Sequence, residues 1–153
     1  MFFTNVVKII GLAMIEIARA DYEAMVAHAQ RDFPDECCGL LAGAADQVRR
    51  VYPMVNVEHS PSTYRVDPLD LLKVFQELDD TAQRPEEHRL EMVGIYHSHT
   101  HSEAYPSPTD VLYARGYPEA AYLIISLTDR AAPVARAFRI EGERICEEEV
   151  RVR

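Results

Sequence analysis

The segment AAYLIISL, residues 120–127, is an apolar run without a single charged side chain. An uninterrupted run of this length is typical of a β-strand that is covered on both faces. Such a strand requires a layer of structure on each side of its sheet, and two segments have the apolar periodicity of amphipathic helices. Their apolar stripes are Tyr22, Met25, Val26 and Ala29 in one, and Leu71, Val74, Phe75 and Leu78 in the other. The sequence therefore predicts an α/β fold with helices flanking a β-sheet.

Further strands are predicted along the chain, and two pairs of them are separated by turn residues. Segments 38–44 and 47–57 meet at Ala45 and Asp46, and segments 134–142 and 144–152 meet at Gly142. Hairpins make neighbouring strands antiparallel, so we expect a mixed sheet. A chain of 153 residues fits one domain, which we place at residues 14–153.

The first thirteen residues, MFFTNVVKIIGLA, are apolar but do not resemble a targeting or membrane segment. They have no basic region at the start, Lys8 interrupts the run, and the run is too short to span a bilayer. We interpret residues 1–13 as an extension or an extra strand, or as sequence upstream of a second start at Met14. The sequence predicts no membrane association.

Charge and cysteine content narrow the partners and the compartment. The chain has 16 basic and 25 acidic residues, a formal charge of −9, which would repel a phosphate backbone and argues against nucleic acid. A partner with a basic face or a neutral extended peptide fits better. Three cysteines, two of them adjacent at Cys37 and Cys38, cannot form a disulfide framework and favour the cytoplasm.

The segment HSHTHSEAYPSPTD, residues 97–110, concentrates side chains that bind metals. Alternate residues of an extended segment face the same side, so His97 and His99 present both imidazoles to one space. Asp110 lies in the first turn of a predicted helix that starts after Ser107 and runs to Gly116, where the helix N-terminus favours an ionised carboxylate. Two imidazoles and one carboxylate form a zinc set that leaves one position open, as hydrolysis requires.

A carboxylate is also available to accept the proton of an activated water. Glu36 lies where the first helix gives way to a strand, a position that can direct a carboxylate into a cleft at the strand ends. Structural interpretations exist for each part: Ser107 and Asp110 form a capping box by themselves, and Asp35 shows that acids occur in this segment without a special role. These interpretations do not account for the whole combination.

The combination resembles the JAMM (MPN+) metalloproteases, whose motif is a glutamate followed downstream by His-x-His-x7-Ser-x2-Asp. Every position of that motif is present. The family's Pro-x-Glu-x-Cys-Gly-x-Leu-x-Gly is also met, by Pro34, Glu36, Cys38, Gly39, Leu41 and Gly43. The resemblance extends from about residue 14 to residue 127. It implies an MPN (cytidine-deaminase-like) architecture with one Zn²⁺ per chain.

The resemblance also implies a role for each motif residue. His97, His99 and Asp110 would bind zinc, Glu36 would act as general base and then as acid toward the leaving amine, and Ser107 would hydrogen-bond the developing oxyanion. The sequence places no histidine where it could activate Cys37 or Cys38 as a nucleophile. We therefore expect both cysteines to have a structural packing role.

Within the family, this chain is most similar to the short bacterial enzymes that act on ubiquitin-like sulfur carrier proteins. This likeness rests on YHSHTHSEAYPSPTDV, DECCGLLAG and NVEHSPSTYRVDP. It implies hydrolysis of the amide at the carrier's C-terminal glycine with release of cysteine. We expect the Gly-Gly tail to lie extended along a strand edge, with Tyr64 and Arg65 as contacts and His101 at the rim of the site.

Three alternatives remain at this point. In the first, the enzyme trims a carrier precursor. In the second, it releases ubiquitin-like tags from lysines. In the third, the domain is a non-catalytic MPN scaffold. A zinc nucleobase deaminase is excluded because Pro-Cys-x-x-Cys does not occur, the cysteine pair Cys37 and Cys38 having no two-residue gap. The oligomeric state, a homo-oligomer included, is left open.

Overall fold

The computed structural model describes residues 13–153. Residues 1–12, to which the predicted extension or extra strand belongs, lie outside the described residues. In residues 13–153, no helix combines the length and apolar character needed to cross a bilayer.

Seven strands and three α-helices alternate along the described chain. In order they are β1 (Met14–Ile17), α1 (Arg19–Asp32), β2 (Cys38–Ala44), β3 (Gln47–Met54), α2 (Pro68–Thr81), β4 (Glu91–His99), α3 (Pro108–Tyr113), β5 (Ala121–Ser126), β6 (Val134–Glu141) and β7 (Arg144–Val152). Short 3-10 turns cover Glu86–His88 and Ala114–Gly116. The helices and strands predicted for this part of the chain are all present.

The strands form one mixed sheet in the order β1-β3-β2-β4-β5-β6-β7. β4 and β5 run parallel, whereas β2 is antiparallel to both β3 and β4. Parallel pairing of β1 with β7 closes the sheet into a barrel, and β1 meets β3 only where Glu16 lies opposite Gln47. The predicted mixed sheet with flanking helices is confirmed, and its closure is an additional finding.

The two faces of β5 pack into two separate hydrophobic clusters. Leu123 and Ile125 join the cluster that contains Met25 of α1. Tyr122 and Ile124 join the cluster beneath α2 and α3. All residues of β5 are buried, as its uninterrupted apolar sequence predicted, because helices cover both sides of the sheet.

Two strand boundaries differ from the prediction. β3 ends at Met54 instead of residue 57, since Val55 is exposed and Asn56 turns its side chain into the following loop. The apolar segment 90–97 predicts a strand that ends at His97, but β4 continues to His99, because His99 still pairs with Ser126 of β5. Both histidines are therefore held by a paired strand rather than by a loop.

Gly39 allows β2 and β4 to approach closely. It lies opposite Tyr96 in the β2–β4 register, and a Cβ at residue 39 would overlap the Tyr96 ring. The Tyr96 hydroxyl is 2.8 Å from Nδ1 of the buried His28, whose Nε2 is 3.0 Å from an Asp32 carboxylate oxygen. A motif glycine thus makes room for the tyrosine that anchors β4 to α1.

Candidate functional site

The ends of β2 and β4 and the start of α3 meet at one buried cluster. His97 is fully buried and His99 is 5% exposed, and their Nε2 atoms lie 3.1 Å apart. Both side chains face the same space, as their alternate positions in β4 dictate. Neighbouring Cys38 of β2 pairs with His97, so the first histidine is fixed by strands on both sides.

Asp110 completes the cluster from the first turn of α3. Its two carboxylate oxygens lie 3.2 Å from His97 Nε2 and 3.0 Å from His99 Nε2. The same carboxylate accepts a hydrogen bond from the Ser107 backbone N–H at 2.9 Å. Burial opposes ionisation, but these hydrogen bonds with the two histidines and Ser107 hold the pKa of Asp110 well below its usual range. The carboxylate is charged at neutral pH.

The two imidazoles have different electrostatic surroundings. Burial lowers the pKa of His97. Burial also acts to lower the pKa of His99, but the hydrogen bonds to Asp110 and to the Glu103 carbonyl outweigh it and raise that pKa. A cation bound beside the carboxylate would displace the His99 proton, since metals bind neutral imidazole.

The donor set fits a divalent metal such as zinc. Ligand atoms at about 2.0–2.1 Å from a tetrahedral ion lie about 3.3 Å from one another, close to the 3.0–3.2 Å separations observed here. His99 Nδ1 donates to the Glu103 carbonyl at 2.8 Å, which leaves Nε2 directed at the cluster. Among residues 13–153 this is the one group of three or more such side chains whose ligand atoms converge.

Ser107 is the N-cap of α3, as the sequence predicted. Its Oγ accepts the Asp110 backbone N–H at 3.1 Å, and the reciprocal bond completes a capping box. Because Oγ acts here as an acceptor, the hydroxyl proton remains available to a substrate oxygen. Ser107 thus caps α3 and is hydrogen-bonded to Asp110 of the cluster.

Glu36 lies between α1 and β2 and is only 5% exposed. Its backbone N–H donates to the Ser60 carbonyl at 2.8 Å, and its carbonyl accepts from Asn56 Nδ2 at 3.1 Å. Burial raises the pKa of its carboxyl to about 8, with His99 acting in the opposite direction and Asp110 adding to the rise. The Glu36 carboxyl therefore shares its electrostatic surroundings with the histidine–aspartate cluster. A pKa near neutrality suits a group that takes up and returns a proton.

The two cysteines next to Glu36 are buried. Burial raises the pKa of both Cys37 and Cys38 to about 12. Such thiols stay protonated at neutral pH and are not nucleophiles. Cys37 and Cys38 belong to two different hydrophobic clusters, in agreement with a packing role.

The three predicted substrate-contact residues lie in different surroundings. The Tyr64 ring stacks on His97 with centroids 4.5 Å apart and a 24° interplanar angle. Arg65 is exposed, and its Nε lies 3.9 Å from a Glu58 carboxylate oxygen. His101 is exposed and outside the metal-ligand cluster, with its ring 5.8 Å from that of Phe33. Tyr64 is brought to the site, whereas Arg65 and His101 lie at the surface.

Two residues that sequence reasoning missed hold the loop between β3 and α2 against the site. Asn56 donates to the carbonyls of Glu36 and Thr63 and accepts the backbone N–H of Arg65. Thr100 Oγ1 donates to the Pro61 carbonyl at 2.7 Å. Their only sequence signal is an amide and a hydroxyl next to motif segments, which is too common a pattern to identify them.

Comparison with known proteins gives a consistent set of relatives. A model of the family described as prokaryotic homologs of the JAB domain matches residues 18–141. A Mycobacterium tuberculosis protein named CysO-cysteine peptidase is 44% identical over 145 residues, which cover 93% of this chain and 94% of the relative.

Two further relatives extend the comparison. A Thermus thermophilus protein named as a probable TtuB-protein conjugate cleaving protease is 41% identical over 103 residues, covering 67% of this chain and 64% of the relative. The solution structure of a Desulfitobacterium hafniense protein superposes with a TM-score of 0.78 at 35% identity, over 92% of this chain and 93% of the other.

Proposed function

Because the chain belongs to the family of prokaryotic homologs of the JAB domain, we propose that it is a zinc-dependent peptidase of ubiquitin-like sulfur carrier proteins. It hydrolyses the amide at the carrier's C-terminal glycine and releases cysteine in the cytoplasm. The observation that carries this proposal is the convergence of His97, His99 and Asp110, with the buried carboxyl of Glu36 in the same electrostatic surroundings.

His97, His99 and Asp110 would hold the zinc ion. When bound, it supplies Lewis-acid activation of water and of the scissile carbonyl. Three protein ligands are the number that catalytic zinc sites use. The scaffold alternative is disfavoured because a domain without catalysis has no need of this buried and mutually hydrogen-bonded set.

Glu36 moves the proton. Its carboxylate accepts a proton from the attacking water and delivers it to the amine that leaves the carrier. The raised pKa, about 8, makes the protonated form a usable acid near neutral pH and the ionised form a usable base. Glu36 is therefore suited to both halves of the reaction.

Ser107 hydrogen-bonds the oxygen on which negative charge develops. Its hydroxyl is oriented by the capping box, so little reorganisation is needed when the charge appears. The structure of α3 thus preorganises both Ser107 and Asp110.

The names of two relatives support the proposed substrate class. The mycobacterial relative matches nearly the full chain and is named for the cysteine conjugate of CysO. The Thermus relative is named for cleaving protein conjugates, which supports release of tags from lysines as the second candidate. Trimming of a carrier precursor is the third.

One experiment separates these candidates. Each Gly-Gly-ended ubiquitin-like protein of the host is prepared with an added C-terminal cysteine, or joined to a lysine of a model protein, and incubated with the enzyme. Mass spectrometry identifies the mass lost. We expect loss of cysteine that stops on chelation and returns with zinc.

The control pair is Glu36→Gln and Asp35→Asn, which remove a charge from neighbouring residues. Glu36→Gln is expected to lower kcat by about 10²- to 10⁴-fold, the usual contribution of a general acid–base group. Asp35→Asn should retain activity. Release that continues at an unchanged rate without metal, or in Glu36→Gln, would overturn the proposal.

A further inference from the structure

A cavity of about 320 Å³ opens beside the candidate site. It is lined by Leu40, Tyr64, Arg65, Val66, Leu71, Ile95, Tyr113, Tyr117 and Tyr122. The proposed reaction uses none of these residues at the reacting atoms. The cavity is therefore a feature that the chemistry of the metal cluster does not explain.

The lining is apolar and aromatic with one charged residue. Arg65 is that residue, and its exposed side chain extends toward Glu58. The Tyr122 hydroxyl is already bonded to the Tyr117 carbonyl at 3.0 Å. A cationic group entering this space would meet Arg65, and an anionic group would have to compete with Glu58 for that side chain, whereas an apolar group would gain contacts.

Tyr64 is the wall shared by the cavity and the metal-ligand cluster. One face of its ring stacks on His97 at 4.5 Å, and His97 itself does not line the cavity. The cavity thus adjoins the metal-ligand cluster through Tyr64 without including the ligand itself. The first side chain that a Gly-Gly tail offers is that of the third residue before the scissile bond, at about 3.3 Å of extended chain per residue.

The terminal glycines of a carrier tail cannot by themselves account for its recognition. The two terminal glycines have no side chains to read. The strands that bear the site, β2 and β4, are each paired on both sides, so the strand edge expected beside the histidines is not free for backbone pairing. Recognition must come from side chains upstream of the glycines.

We propose that this cavity is a specificity subsite that receives one apolar side chain of the carrier tail, about three residues before the scissile bond. The inference rests on the proposed function and names a determinant of its substrate. An engineered cavity of about 150 Å³ already accommodates benzene, so the volume here suffices for a leucine or phenylalanine side chain.

The first test moves one leucine through a serine-rich peptide. Synthetic hexapeptides end in Gly-Gly-Cys and carry the leucine at the third, fourth or fifth residue before the scissile bond, with an all-serine peptide as reference. Burial of one such side chain corresponds to about 10-fold or more in affinity. We expect KM to fall by about 10-fold for the third position and to change little for the fifth.

The second test alters the cavity. Leu71→Asp puts a charge into it, and Leu72→Asp is the matched control on the exposed surface of the same helix. We expect Leu71→Asp to abolish the preference for leucine and Leu72→Asp to retain it. Leu71→Phe fills the cavity without a charge and should shift the preference from leucine to alanine, which keeps the test valid if Leu71→Asp fails to fold.

A binding measurement distinguishes failure of this inference from failure of the proposed function. The same peptides without cysteine are titrated into chelated protein and followed by fluorescence anisotropy. Position-dependent binding supports the subsite even if no cysteine conjugate is cleaved. Cleavage with no preference among the peptides, or an equal loss in Leu72→Asp, would overturn the subsite and leave the proposed function standing.

Discussion

Ser98 and Cys37 exchange two hydrogen bonds across the site. Ser98 Oγ accepts the Cys37 backbone N–H at 2.8 Å, and the Ser98 backbone N–H donates to the Cys37 carbonyl at 3.1 Å. Cys37 directly follows Glu36, and Ser98 lies between the two histidines of β4. This pair therefore sets how the proposed base approaches the metal ligands.

Ser98→Ala should cost both stability and rate. The buried Cys37 N–H loses its acceptor, which costs about 1–3 kcal/mol in the free energy of unfolding. Displacement of Glu36 should lower kcat by about 10- to 100-fold with zinc content unchanged. Denaturant unfolding, kcat and metal analysis check this, with exposed Ser102→Ala as the control. An unchanged kcat would mean that the pair does not position the base.

Ser107→Ala combines loss of a helix cap with loss of an oxyanion donor. The cap is worth about 1 kcal/mol of stability, and a lost donor costs about 10²- to 10³-fold in kcat. Asp67→Ala provides the comparison, because Asp67 caps α2 through the backbone N–H groups of Leu69 and Asp70. It should lose similar stability with little change in kcat. Equal kcat in Ser107→Ala and Asp67→Ala would show that Ser107 takes no part in the reaction.

Asp110→Asn should weaken metal binding directly. The amide carries no charge and donates where a metal needs an acceptor, so zinc affinity should fall by at least 100-fold. Competition against a chromophoric chelator measures this affinity. The substitution Asp80→Asn, at an exposed position, tests for a general effect of lost negative charge. This variant should bind zinc with the affinity of the parent protein. An Asp110→Asn protein that retains parental affinity would refute the ligand assignment.

The metal-free protein should lose stability with rising pH through Glu36. Its pKa is raised from an ordinary 4.5 to about 8 by burial, so between these values the folded state keeps a proton that the unfolded state has released. The free energy of unfolding then falls as pH rises through this window. Glu36→Gln should remove this part of the slope. Urea midpoints measured with chelator from pH 4.5 to 8 test it, and parallel slopes for the two proteins would contradict it.

Gly39→Ala should be strongly destabilising, since the added methyl overlaps the buried Tyr96 ring. Overpacking of this kind costs about 1–3 kcal/mol. Gly116→Ala is the matched control, because a Cβ at that position meets nothing within 4 Å. Thermal unfolding of both variants provides the comparison. Equal stability would show that β2 and β4 move apart at little cost.

Much of the fold was predictable because its signals are local. The apolar run of β5 indicated cover on both faces, and the stripe of Leu71, Val74, Phe75 and Leu78 indicated the helix α2; both are confirmed. The family predicted from the glutamate and histidine motifs is confirmed by the match over residues 18–141. Closure of the barrel was not predictable, because the sequence of β1 does not specify that it pairs with β7.

The site was predictable only in part, for a physical reason. Spacing in a strand fixes the mutual orientation of His97 and His99, so two positions follow from the sequence. The roles assigned to Glu36, Ser107, Tyr64, Arg65 and His101 remain predictions. The stacking of Tyr64 on His97 depends on how the loop after β3 folds back, which is set by the side chain of Asn56 rather than by any periodic pattern.

Because β1 and β3 pair at only one position, Glu16 opposite Gln47, this seam of the barrel is weaker than the others. Around the ring of strands, β4 lies three strands from β1 in one direction and four in the other. Thermal breathing should therefore begin at the seam, where amide protons will exchange with solvent first. The strand β4, which bears His97 and His99, can therefore stay rigid while the contact between β1 and β3 opens.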